Sequence, residues 1–197
     1  MADSDVIDKM VGQKLALRQR RPITVTQTQK SYEALFENKD NASFSIADRF
    51  AVAAFIALLH QVDEAAQFYL EQLLKIDAKK ADFVQQASKT GLTTGPYGHY
   101  PVGPLSREDE DGFLWRADDS LRRSLGDKLI AGFEHGHLLV FHPRDSAKND
   151  IDKLVNAGWS NDDIVTLSQL IAFLSYQIRL VVGLKVLANK PQSVQKP

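Results

Sequence analysis

The amino-acid sequence predicts an all-α fold, and three observations favour it. Two long segments, 45–75 and 160–188, are rich in alanine and leucine, contain no proline and do not alternate between apolar and polar residues. Segments of this length with such a pattern are typical of helices. No run in the chain has the alternating pattern of a strand. The length of 197 residues is enough for one domain with a buried core.

Each long segment begins with the same helix-start signal. An aromatic residue precedes a serine, Ser45 or Ser160, and an acidic residue follows three positions later. The serine hydroxyl can accept a backbone N–H, and the acid lies near the positive end of the helix dipole. Moving the second segment back by 115 residues places identical residues together at four positions: Asp48 and Asp163, Ile56 and Ile171, Ala57 and Ala172, and Leu59 and Leu174. The shared start and register predict an internal duplication.

Shorter helices and one long loop complete the predicted domain. Four further segments have helical patterns: 27–37, 78–88, 119–141 and 147–156. Gly91 and Gly158 stand where helices should end, in left-handed C-terminal positions. We expect a single domain, 1–197, with these parts: an N-terminal part with the first repeat (1–90, helix 45–75), a loop (91–115), the second repeat (116–188, helix 160–188) and a disordered tail (189–197).

The predicted loop, 91–115, is dense in glycine, proline and aromatic residues, including the run Gly-Pro-Tyr-Gly-His-Tyr-Pro at 95–101. This composition predicts an irregular backbone. Long loops in compact domains often serve as lids, binding loops or oligomer arms, and they also occur as solvated connectors. The aromatic residues favour packing against another surface, and the sequence leaves both roles open.

Composition excludes several classes of function. The chain has no cysteine, which removes disulfides, thiolate metal sites and cysteine nucleophiles. A net charge of −1 argues against nucleic acid as a partner, and a solvated arm or a subunit contact explains the basic cluster 18–21 better. The most apolar stretch, 164–178, is interrupted by polar residues and is shorter than the ~20 residues of a membrane span. The N-terminus lacks the pattern of a signal peptide, so we expect a cytoplasmic protein with no membrane partner.

The second repeat is similar to a known family. The run Asn-Ala-Gly-Trp-Ser-Asn-Asp-Asp-Ile at 156–164, followed by Ile-Ala-Phe at 171–173 and Gln-Ile-Arg at 177–179, resembles the carboxymuconolactone decarboxylase/alkylhydroperoxidase D-like superfamily and its peroxidase-related members. The similarity extends from about residue 35 to about residue 187. It implies an all-helical fold that assembles into homo-oligomers. Active members of the family carry a Cys-x-x-Cys motif in the helix of the first repeat, a histidine four residues later and a glutamate upstream.

This chain departs from the family at each of those positions. The cysteine positions hold Val62 and Ala65, the histidine position holds Tyr69, and the glutamate position holds Phe50. The corresponding positions of the second repeat hold Gln177, Leu180, Leu184 and Val165. Thiol peroxidase chemistry needs one thiolate that attacks peroxide and a second thiol that resolves the product. We therefore expect a non-catalytic relative that serves as a scaffold or as an oligomeric partner, either of its own copies or of a cysteine-bearing relative.

A second hypothesis is a thiol-independent enzyme that uses acid–base chemistry on a small carboxylated substrate, as in decarboxylase or lactone chemistry. Its candidate catalytic residues surround the lost motif: His60, Asp63, Glu64 and Tyr69. His60 and Glu64 are four residues apart, so one continuous helix would place them on the same face. A carboxylate beside an imidazole raises the pKa of the histidine and suits it to proton transfer near neutral pH. Such a pair also occurs as a surface contact without function.

Histidines in the second half suggest a metal site, but their pattern is incomplete. Glu134 and His137 have the spacing of two ligands on one helix face, whereas a di-iron site needs a second such pair. His135 and His142 do not complete the geometry, so no metal is predicted, and these histidines are expected near the negative end of a helix dipole. The sequence also lacks a phosphate-binding loop and a dinucleotide fingerprint, so no cofactor is predicted.

Arg179 lies in an otherwise apolar predicted helix. A partly buried arginine usually has a carboxylate partner, and Asp48 and Asp163 are the candidates. The alternative is that its guanidinium group binds the carboxylate of a substrate.

Overall fold

The computed structural model describes residues 5–37 and 43–189 and shows an all-α fold, which confirms the predicted class. Nine α-helices occur in these ranges: α1 (Val6–Val11), α2 (Pro22–Phe36), α3 (Ile46–Leu59), α4 (Asp63–Ile76), α5 (Ala78–Gly91), α6 (Asp119–Leu125), α7 (Asp127–Phe141), α8 (Lys148–Asn156) and α9 (Asn161–Ala188). Short 3₁₀ helices occur at Ala16–Arg20, Pro104–Glu108 and Pro143–Asp145. Of the predicted tail, 189–197, only Asn189 lies within the described residues.

The centre of the core is α3. Its residues from Ala51 to Ala57 are fully buried, and the helix packs against α4, α5, α7 and α9. A helix that is apolar on every side is stable only when other elements surround it. The ring of Phe55 stacks on that of Phe133 of α7 with centroids 4.5 Å apart. This arrangement makes α3 the helix against which the remaining elements are positioned.

The prediction of one helix over 45–75 is wrong, because the chain turns between α3 and α4. His60 ends α3, Gln61 adopts a left-handed φ of 54°, and Val62 is extended. Two acidic residues, Asp63 and Glu64, then occupy the first turn of α4, where the helix dipole favours negative charge. The turn lets α4 fold back on α3, so that both helices bury their apolar faces against each other.

The second long helix is confirmed as α9, and both serine caps are confirmed. The Oγ atoms of Ser45 and Ser160 accept the backbone N–H groups three residues later, at 3.1 and 3.2 Å. Gly158 has a left-handed φ of 94°, as predicted, whereas Gly91 is the last helical residue of α5 and has no left-handed φ. The predicted helix 119–141 is divided into α6 and α7, since Gly126 has a φ of 81°.

Residues related by the 115-residue shift touch at two places. The rings of Phe44 and Trp159 meet edge to face with centroids 4.8 Å apart, and His60 Nε2 lies 3.4 Å from Ser175 Oγ. Contacts between equivalent positions are what two helices related by an approximate two-fold rotation would make. The helices differ in length, because α3 has 14 residues and α9 has 28. The duplication stays a prediction.

The loop between α5 and α6 packs against the end of α7 and the 3₁₀ helix that follows. The Tyr97 backbone N–H donates to the Phe141 carbonyl at 2.6 Å, and the His99 N–H donates to the Asp145 carboxylate at 3.0 Å. At the end of the loop, Trp115 is one of the most buried large side chains. Its Nε1 donates a hydrogen bond to the Thr90 hydroxyl. The loop therefore lies on the core, which agrees with the packing expected from its aromatic residues.

The helix α9 has the length and mean hydropathy to cross a bilayer, and within 5–37 and 43–189 no other helix does. It buries one face, including Leu167, Leu170 and Leu174, against α3 and α7. One-sided burial of this kind is typical of a helix that packs against the core of a globular domain. The cytoplasmic location stays a prediction.

Candidate functional site

A cleft of about 740 Å³ opens where the end of α3 meets α7 and α9. His60 and three residues of α9, namely Ser175, Tyr176 and Arg179, form its polar side. Gly95 and Pro96 of the long loop also line the cleft. The rest of the lining is apolar and comes from the end of α7, the residue Pro143 just after it, and α9: Leu139, Val140, Phe141, Pro143, Ile171 and Ala172. A volume of this size lies within the range of small-molecule sites, which is ~300–1,000 Å³.

The imidazole of His60 is held in its neutral form. Burial and, to a lesser extent, the nearby positive charge of Arg179 together lower its pKa to about 4. Its Nε2 lies 3.4 Å from Ser175 Oγ, which is longer than an ordinary hydrogen bond and therefore a weak contact. A neutral imidazole with so low a pKa is a hydrogen-bonding group at neutral pH and a poor base.

Arg179 is exposed at the cleft, so the prediction that it is buried beside Asp48 or Asp163 is wrong. Its Nη1 donates to the Ser175 carbonyl at 3.0 Å, and no carboxylate of the described residues forms an ion pair with it. Asp48 pairs with Lys80 at 2.7 Å, and Asp163 lies 3.5 Å from Lys128. The α9 backbone directs Arg179 away from both carboxylates, which leaves its guanidinium group facing the cleft.

The predicted pair of His60 and Glu64 does not form. The turn at Gln61 separates the two residues, and the Glu64 carboxylate forms an ion pair with Lys185 of α9. Asp63 is exposed in the first turn of α4 and does not line the cleft. Of the four candidate catalytic residues, only His60 faces the cleft. No glycine or proline stands at the break, so the amino-acid pattern alone predicts a continuous helix there.

The fourth candidate, Tyr69, lies in the core and not at the cleft. It is fully buried, and its hydroxyl donates to Gln177 Oε1 of α9. Burial raises the pKa of Tyr69 well above its ordinary value of 10, so the phenol stays protonated. The Phe36 ring lies 4.7 Å from that of Phe50 and 5.4 Å from that of Tyr69, measured between centroids. Phe50 and Tyr69, at the glutamate and histidine positions of the resemblance, thus belong to an aromatic cluster with Phe36.

The histidines of the second half are buried, and the prediction that dipole contacts at a helix end explain them is wrong. His135 and His137 lie inside α7, where burial lowers the pKa of both, that of His137 to about 4. His137 Nε2 lies 3.1 Å from the Gly91 carbonyl, which ties α7 to the end of α5. His142 contacts the Asp145 carboxylate and a loop carbonyl, both within 3.1 Å. His137 and His142 therefore hold the loop and its neighbours together.

Glu134 is also committed to a structural role. Its carboxylate accepts from the guanidinium groups of Arg122 and Arg116 and from the Ala117 backbone N–H. The helix α7 therefore anchors the chain where the loop enters α6. Within residues 5–37 and 43–189, no group of three or more His, Cys, Asp or Glu side chains is arranged to hold a metal ion.

The sequence analysis missed Arg49, the buried arginine of α3. It is 2% exposed, and its guanidinium donates to the carbonyls of Phe44 and Leu35 at 3.0 and 2.8 Å. Burial lowers its pKa, and the charge of Asp163 acts in the opposite direction. A single arginine in the apolar run Phe-Ser-Ile-Ala-Asp-Arg-Phe-Ala-Val was the available signal. Arg49 fixes the start of α3 against the end of α2.

Fold and cleft together define an all-α protein with a mixed polar and apolar small-molecule-sized cleft. No protein-family model, no curated protein and no solved structure matches this chain. The resemblance to the carboxymuconolactone decarboxylase/alkylhydroperoxidase D-like superfamily stays a prediction.

Proposed function

We propose that this chain is a cysteine-free relative of the alkylhydroperoxidase D-like proteins that works as an oligomeric partner subunit and not as a thiol peroxidase. The aromatic cluster carries the proposal. Ala65 and Tyr69, at two positions that the resemblance assigns to catalysis, are fully buried. A peroxide-reducing thiolate must be accessible to its substrate, and a dry aromatic core does not admit one.

An exposed stripe on α9 supports the oligomeric part of the proposal. Val165, Ala172, Tyr176, Gly183 and Leu187 are all exposed, and they follow one another at intervals of seven and four residues. This spacing places them on one face of the helix, as in helices that pair along a seam. Exposed apolar stripes of this length mark contact surfaces. The partner is a second copy of this chain or a cysteine-bearing relative.

The peroxidase part is tested by hydroperoxide consumption with the purified protein, in the presence and absence of an added dithiol. We expect no turnover above that of a heat-denatured sample, because the chain has no thiol. Turnover well above that background, retained after metal is removed, would contradict the proposal.

The oligomeric part is tested by light scattering on the double variant Val165→Lys/Gly183→Lys. Both positions are exposed, and a side chain at Gly183 meets no other group within 4 Å, so the variant should fold. We expect the wild type to have a multiple of the 22.0 kDa chain mass and the variant to have a lower mass. The control Gln86→Lys adds a lysine to the exposed side of α5 and should leave the mass unchanged. If the purified wild type, without any cysteine-bearing relative, has the mass of a monomer, the proposal that the chain forms homo-oligomers is wrong.

The cleft favours a second candidate function, which is the binding of a small carboxylated molecule. Among the described residues, no carboxylate forms an ion pair with the Arg179 guanidinium, and much of the cleft lining is apolar. The separation of His60 from Glu64 and the low pKa of His60 favour binding over proton transfer. Benzoate is a suitable probe, followed by NMR of the His60 ring. Binding that Arg179→Gln weakens about tenfold and Arg123→Gln does not would support this function. Equal binding by both variants would contradict it.

A further inference from the structure

A second cavity, of about 270 Å³, lies between the start of α2 and the last turns of α9. We call it the α2/α9 slot. Its floor is formed by leucine and valine side chains, among them Val25, Leu180 and Leu184. The 3₁₀ helix Ala16–Arg20 closes one side and contributes arginines to the lining. It is separate from the cleft at His60, since no residue lines both.

The charged residues that line this slot are all arginines. Arg18, Arg20 and Arg21 line it, and no aspartate or glutamate does. Arg18 is buried and already paired, with its Nη1 2.5 Å from Asp5 and 2.8 Å from Asp8. Arg20 and Arg21 are exposed, and neither forms an ion pair with a carboxylate of the described residues.

We propose that the α2/α9 slot binds a single-chain organic anion, a medium-chain fatty acid, with its chain among the leucines and its carboxylate on Arg20 and Arg21. An apolar floor takes up the chain because this removes its surface from water. Guanidinium groups match the geometry of a carboxylate and hold it with charge-assisted hydrogen bonds. The volume lies just below the ~300 Å³ at which ordinary ligand sites begin, which limits the length of the chain.

The test is calorimetric titration of the full chain with decanoate, kept below the concentration at which it forms micelles. Acetate supplies the charge without the chain, and decanol supplies the chain without the charge. We expect saturable binding of one decanoate per chain and much weaker binding of the other two compounds. Arg20→Gln/Arg21→Gln should weaken decanoate binding at least about tenfold, and Thr24→Trp, which fills the slot, should abolish it. The exposed Arg123 of α6 gives the matched control, Arg123→Gln, which should bind as the wild type does.

Three results would overturn the proposal. Absence of decanoate binding would do so, as would equal affinity for decanol, because the arginines would then play no part. Unchanged binding by the double glutamine variant would have the same meaning. If a second copy of the chain occupies the slot, Thr24→Trp will lower the mass measured by light scattering while decanoate fails to bind. The slot and the exposed stripe of α9 meet at Leu187, but Val165 and Gly183 do not line the slot, so Val165→Lys/Gly183→Lys should bind decanoate normally even where its mass is reduced.

Discussion

One of the two buried histidines of α7, His137, predicts a specific loss of stability in acid. Burial lowers the pKa of His137 to about 4, against 6.5 in the unfolded chain. Between these values the unfolded state binds a proton that the folded state does not. The free energy of unfolding therefore falls as the pH drops through 6.5, and this contribution levels off below about 4. At about 1.4 kcal/mol per pH unit, the full effect is about 3 kcal/mol, of which about 2.5 kcal/mol has developed at about pH 4.5.

The substitution His137→Gln isolates this effect. A glutamine amide can still donate to the Gly91 carbonyl, which His137 contacts at 3.1 Å, but it does not titrate. Urea unfolding at about pH 7.5 and about pH 4.5 gives the acid-induced loss for each protein. Carboxylates contribute equally to both, so we expect the loss to be smaller in the variant by about 2 kcal/mol.

The exposed Gln86 provides the control, because Gln86→Lys adds no group that titrates between about pH 4.5 and about pH 7.5 and should leave the acid-induced loss close to that of the wild type. Lost packing around His137 lowers the stability of the variant at both pH values and cancels in the comparison. An identical loss in wild type and His137→Gln would refute the assignment of a neutral, buried imidazole.

Three further predictions concern the core, the cleft and the loop anchor. Tyr69→Phe should lower the free energy of unfolding by about 1–3 kcal/mol in urea titrations, because the Gln177 amide loses its partner in a buried setting. Arg179→Gln should raise the pKa of His60 above 4, seen as a shift of its NMR titration, because a nearby positive charge is removed; no shift would show that burial alone sets that pKa. Glu134→Gln should cost about 1–2 kcal/mol in thermal or urea unfolding, since two guanidinium groups lose their carboxylate.

Local signals predicted much of the helical content. The serine caps at Ser45 and Ser160 and the uninterrupted apolar pattern of α9 are properties of neighbouring residues, and the structure agrees with them. The breaks at Gln61 and Gly126 were missed for different reasons. At Gly126, glycine itself indicates a possible helix end, but the helical pattern on both sides of it favoured one continuous helix. At Gln61 the residue type does not indicate a break, because its left-handed conformation follows from the packing of α4 back onto α3.

The candidate site was predictable only in part, because it is made by distant segments. His60 could be singled out from its sequence, but its neighbours in the cleft come from α9, more than 100 residues later. Glu64, the expected partner of His60, would lie beside it only if the helix continued through the turn. In the structure Glu64 forms an ion pair with Lys185 instead. Similarly, the exposure of Arg179 depends on which face of α9 meets the core. A sequence pattern that is apolar on nearly all sides does not specify that face.

The turn between α3 and α4 separates the cleft from the positions that the proposed resemblance assigns to catalysis. Ala65 faces the core just after the turn, and Tyr69 follows one helical turn later in the same closed environment. His60, at the other end of the turn, faces the open cleft with Arg179. A ligand in the cleft can therefore contact His60 but not the buried side chains of Ala65 and Tyr69. It follows that Tyr69→Phe should reduce stability and leave benzoate binding unchanged. Arg179→Gln should weaken benzoate binding and leave stability unchanged. If Tyr69→Phe weakened benzoate binding without loss of stability, the aromatic cluster would be part of the site.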